Sequence, residues 1–138
     1  MKLFARVLSV LLLVLMLTLT LASCGNRIPK GEYIRGDKDL EGYYEGYTFD
    51  GKNFSFDVYR KYQKDEALCY SGTYEFVKDK ENSDKENGIT VGTLTLTYLD
   101  AEGNEVVAEY SYLREETEDS TTIKIGDMFY TYYENPAK

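Results

Sequence analysis

From residue 31 onward, apolar and polar side chains alternate with a period of two, and turn residues cut the alternation at short intervals. Phe54, Phe56 and Val58 fall on one face of a segment whose other face carries Ser55, Asp57 and Tyr59. Further on, Leu68, Tyr70, Tyr74 and Phe76 alternate with Cys69, Ser71, Thr73 and Glu75. Leu94, Leu96 and Tyr98 alternate with Thr93, Thr95 and Thr97, and Val106, Ala108, Tyr110 and Tyr112 repeat the spacing. An extended chain points successive side chains to opposite faces, so each of these segments reads as a half-buried strand. The pattern predicts strands over 32–35, 43–49, 53–60, 67–77, 89–99, 105–114, 121–125 and 128–133. Asp50-Gly51 lies between two of them, and both residues tolerate the positive φ of a type I′ hairpin turn. Residues 100–104 and Gly126-Asp127 close two more hairpins, whereas 78–88 has no apolar residue and both signs of charge and predicts a solvated connection. The expected fold is all-β: an antiparallel up-and-down meander of about eight strands that closes into a small barrel, because closure removes exposed sheet edges.

The first thirty residues follow a different rule. Lys2 and Arg6 precede an apolar run over 7–21, which ends in Leu21-Ala22-Ser23-Cys24. Basic start, apolar run and small residues form a secretory signal, expected as a helix and too short to cross a bilayer comfortably. Cysteine directly after the small residues resembles the lipobox of bacterial lipoproteins. That resemblance implies lipidation at Cys24, removal of residues 1–23 and anchoring at the extracytoplasmic face of a cell-envelope membrane. Residues 24–30 then form a lipidated tether, and 31–138 form the single folded domain. The six residues 25–30 reach at most about 20 Å, which holds the domain close to the bilayer.

The domain carries a second resemblance. Gly31-x-Tyr33, Phe49-Asp50-Gly51-x-x-Phe54, Gly72-Thr73-Tyr74 and Ile123-x-Ile125-x-x-x-Phe129-Tyr130 are similar in rhythm to small lipocalin-like bacterial lipoproteins. The resemblance implies an eight-stranded antiparallel barrel and transfers no site residues, since that architecture hosts varied functions.

Composition narrows the chemistry. The chain has 24 acidic and 16 basic residues, and its net charge of −8 becomes −10 once Lys2 and Arg6 leave with the signal. So acidic a domain argues against nucleic acid as a partner, because phosphate contacts need clustered Lys and Arg. There is no histidine, which removes Ser-His-Asp and Cys-His catalysis together with the common zinc sites. With Cys24 lipidated, Cys69 is a lone thiol, read as a small strand residue that forms no disulfide within the monomer. The acidic stretches 100–105 and 115–119 lack the spacing of a calcium loop, so no metal or cofactor is assigned. No motif marks an enzyme.

Tyrosine occurs fourteen times, always after residue 24. Aromatics on the inner face of an eight-stranded barrel fill it or line a site for one small ligand. Tyr43-Tyr44 and Tyr132-Tyr133 break the alternation, so one ring of each pair must face outward. In an eight-strand meander the tether, Asp50-Gly51, 78–88, 115–120 and the C-terminus share one end. The opposite end gathers a local basic group, and Arg35, Lys38, Tyr59, Arg60, Lys61, Tyr62 and Lys64 form the candidate binding rim there. These features lead us to expect a non-enzymatic, lipid-anchored binding module for an unidentified small apolar or anionic ligand or a protein. The alternative is an acidic inhibitor or adaptor that recognises a cationic envelope or secreted enzyme.

Overall fold

The computed structural model describes residues 27–38 and 42–134. The signal segment 1–23 and Cys24 lie outside the described residues. Among the described residues nine strands follow in chain order: β1 (Gly31–Gly36), β2 (Tyr43–Asp50), β3 (Asn53–Arg60), β4 (Gln63–Lys64), β5 (Tyr70–Lys78), β6 (Ile89–Leu99), β7 (Glu105–Glu116), β8 (Thr121–Ile125) and β9 (Met128–Tyr133). All pairings are antiparallel between neighbours, and β1 pairs with both β2 and β9, so eight strands close into a barrel. The ninth, β4, is a two-residue return that pairs only with the end of β3. Following the register once around the wall returns to β1 displaced by about 12 residues. A stagger of that size tilts the strands steeply and brings inward side chains from all strands into contact.

The alternation read from the sequence sets the core. Tyr33, Tyr47, Phe49, Phe54, Val58, Tyr74, Phe76, Leu94, Leu96, Tyr112, Ile123, Ile125 and Tyr130 are buried, while Thr93, Thr95 and Thr97 of β6 face outward. Rings meet one another edge-on or tilted, as aromatic quadrupoles favour: Phe49–Tyr74 centroids are 5.1 Å apart, Tyr47–Tyr130 5.1 Å and Phe76–Tyr112 4.8 Å. Glycine lets the long hairpin coil over this filling. A Cβ at Gly72 would strike the Thr97 carbonyl oxygen, and one at Gly92 would strike both the Val77 carbonyl and the Phe76 ring.

The fifth expected strand begins later than the alternation suggests. Glu66–Leu68 is a 3₁₀ turn, Leu68 is exposed, and the strand runs from Tyr70 to Lys78. Cys69 accounts for the break. Its Sγ donates to the Asp65 carbonyl at 3.2 Å and accepts the Val58 N–H at 3.3 Å, so it stands in for a strand partner along the upper part of β3.

Candidate functional site

Because the meander alternates direction, its connections sort into two ends. The near end holds the N-terminal segment, the β2–β3 turn, the 79–88 loop and the 117–120 loop. The far end holds the β1–β2 and β3–β5 connections and the β6–β7 and β8–β9 turns.

The near end is partly filled by the chain itself, beside a cleft lined by Arg27, Gly51, Lys52, Tyr74 and Phe76. Ile28 is 2% exposed and belongs to the core cluster. Beneath it, Tyr33 donates its hydroxyl to the Pro29 carbonyl at 3.1 Å, and Tyr74 donates to the Ile28 carbonyl at 3.5 Å. Two buried phenols thus find acceptors in a segment whose composition resembles a linker. The loop at 79–88 is built on two repeats of one device: Asp79 accepts the backbone and side-chain N–H groups of Asn82, and Asp84 does the same for Asn87. These bonds hold both carboxyls below the usual aspartate range. Just inside the end, Arg114 donates to Thr90 Oγ1 at 3.2 Å and lies 3.1 Å from Glu116.

The far end gathers the expected rim. Most of its cations already face carboxylates. Arg35 reaches Glu45 at 3.5 Å, Arg60 reaches Asp65 at 3.5 Å, and Lys64 reaches Asp57 at 3.1 Å. Lys38 folds back along the outer wall to Glu32 at 2.6 Å, with its ammonium 4.2 Å from the Tyr133 ring centroid and 5.3 Å from that of Tyr44. Tyr59 stacks on Tyr44 at 4.7 Å and 8°. The outward rings of the two tyrosine pairs are therefore Tyr44 and Tyr133, and one lysine covers both. Burial first, then the neighbouring Tyr59, pushes the Tyr44 phenol up to about 12. Lys61 and Tyr62 form the β3–β4 turn with φ of 51° and 66°, a region where bulky residues are uncommon.

Inside the far end stands a carboxylate that the sequence reading passed over. Glu45 shares the inward face of β2 with Tyr47 and Phe49 and is 8% exposed. It accepts hydroxyls from Tyr43 and, at 3.4 Å, from Tyr130, in addition to the Arg35 contact. Burying a charge without partners is costly, and these donors offset that cost. Nearby, the Tyr47 and Tyr70 hydroxyls are 3.2 Å apart, and burial raises both phenols above the ordinary tyrosine value. Above this layer Phe56, Tyr70, Tyr98 and Tyr110 are only half-buried and pack on the core, forming an aromatic floor at the mouth. Tyr70 and Tyr98 are 4.5 Å apart, and Phe56 and Tyr70 are 5.0 Å apart.

Among the described residues, no three side chains of the metal-binding types come together. The fold defines a small eight-stranded antiparallel barrel, consistent with the lipocalin-like form. No family model matches the chain, and no curated protein and no solved structure shows significant similarity to it.

Proposed function

We propose that the chain is a non-enzymatic binding module, held at the extracytoplasmic face of a membrane through lipid on Cys24, with the far end of the barrel as its recognition end. The contrast between the two ends carries this reading: Ile28 packs into one, while the other presents the half-buried rings of Phe56, Tyr70, Tyr98 and Tyr110. Half-buried aromatics give a large apolar contact area at small entropic cost. Anchoring supports the same orientation. Only three residues separate Cys24 from the packed Ile28, so the lipidated chain holds that end within about 14 Å of the bilayer and turns the aromatic mouth outward. The rim cations contribute less than composition suggests, because Arg35, Lys38, Arg60 and Lys64 face carboxylates of the same chain. A ligand with a flat apolar group therefore suits the mouth better than a simple anion.

The test uses the full chain in bilayer nanodiscs, with indole as the probe and empty nanodiscs as the blank. Saturation-transfer NMR should report indole against the wild type, and the signal should fall to the blank in a Tyr98→Ala, Tyr110→Ala variant. Equal transfer to both proteins would refute the assignment of the mouth.

A further inference from the structure

The long β6–β7 hairpin overhangs its neighbour. β7 runs from Glu105 to Glu116, yet β8 pairs only with Tyr112 to Glu116. The last bond on that side is donated by the Gly126 N–H to the Ser111 carbonyl at 2.9 Å, where the β8–β9 turn closes. Residues along a strand alternate the side to which their N–H and C=O point. Since Ser111 points toward β8, Glu105, Val107 and Glu109 point the same way, and no described residue pairs with them there. Three N–H and three C=O groups thus line an open edge, a template for another extended chain. The side chains of these three residues are also exposed, Val107 at 61%. On the other face Val106, Ala108 and Tyr110 are half-buried and turn toward the aromatic mouth.

We propose that this edge adds a strand from a protein partner, and that the strand carries basic residues opposite Glu105 and Glu109, with an apolar residue between them opposite Val107. Its alternate side chains, apolar, lie over Val106, Ala108 and Tyr110 and cover the mouth. The charge pattern selects this occupant. A second copy of the chain, paired antiparallel about Val107, would set Glu105 against Glu109 of the other copy at both ends, and like charges directly opposite are destabilising. A basic strand turns the same two positions into attractive cross-strand pairs, within a protein whose net charge is −8. The proposal rests on the far end being the recognition end and adds the partner's chemistry.

The experiment titrates the full chain, in non-ionic detergent, with a blocked nine-residue peptide that carries lysine at its third and seventh positions and valine elsewhere, read by calorimetry and by amide hydrogen exchange. The expected result is saturable, salt-sensitive binding with exchange slowed at Glu105, Val107 and Glu109. A Glu105→Lys, Glu109→Lys variant should bind this peptide roughly tenfold more weakly or worse, and should prefer the same peptide with glutamate in place of both lysines. Unchanged affinity in the variant, protection elsewhere on the barrel, or self-association through β7 would overturn the proposal. If the peptide does not bind while indole still saturates the Tyr98 and Tyr110 mouth, the edge proposal fails alone. If both are silent, the recognition end itself is wrong.

Discussion

Ile28→Ala tests whether the segment before the barrel is a stopper or a leash. The substitution removes three carbons from a side chain that is 2% exposed. At about 0.8 kcal/mol per buried carbon the transfer loss is about 2.5 kcal/mol, and the unfilled space adds to it, as in other isoleucine truncations. The damage has a ceiling, because a segment at the chain's edge can undock as a whole. Undocking would also free the Tyr33 and Tyr74 hydroxyls from the Pro29 and Ile28 carbonyls, at about 1 kcal/mol each. A loss of about 2.5–4 kcal/mol in a domain of this size lowers Tm by roughly 10–20 °C. The assay is thermal unfolding of the full chain in non-ionic detergent, followed by far-UV circular dichroism. Lys30→Ala is the internal control: its pair with Asp50 is 74% exposed on both sides, so Tm should move by less than about 2 °C. A shift of less than about 3 °C for Ile28→Ala would refute the packing of this segment into the barrel and lengthen the reach from Cys24.

Three further outcomes are expected. Replacing Lys61 by Asn and Tyr62 by Gly puts residues suited to positive φ into the β3–β4 turn and should stabilise the fold by about 1 kcal/mol, measured by urea unfolding. Burial pushes the Tyr112 phenol up to about 12 and holds Tyr33, Tyr47 and Tyr130 above the ordinary tyrosine value of 10. Their contribution is complete below pH 10 and falls as pH rises toward the folded-state values, because only the unfolded chain releases those protons there. Tyrosinate absorbance should therefore rise in a cooperative step together with loss of β-structure, and a gradual independent titration of all fourteen tyrosines would contradict the packing. Cys24→Ala should abolish incorporation of a fatty-acid probe in growing cells and leave the precursor uncleaved; a labelled variant would remove the anchor from the account.

The wall of the barrel was legible because its code is local. Period-two alternation and the Asp50-Gly51 and Gly126-Asp127 turns mark the hairpins, and closure follows from leaving few edges exposed. The start of β5 was misplaced because Leu68 continues the alternation by coincidence, while the bonds of Cys69 Sγ that interrupt the strand reach back to Val58 and Asp65. Ile28 gave no periodic signal: it is a single apolar residue between Arg27 and Pro29, and only the closed barrel supplies the cluster it enters. Glu45 did leave a trace, since it alternates in phase with Tyr47 and Phe49 on an apolar face. The rim cations looked free in the sequence because their partners, Glu32, Glu45 and Asp57, stand where the strand register places them. The open edge of β7 was equally hidden, for it depends on how far β8 extends alongside.

Native mass spectrometry of the full chain, extracted from the membranes of the cells that make it, tests the central claim most directly. The wild-type protein should carry a second bound species, and the Tyr98→Ala, Tyr110→Ala variant, purified in parallel and folded by circular dichroism, should have lost it. A bare chain in both preparations, or a species held equally by both, would contradict a barrel that binds its partner through the aromatic mouth.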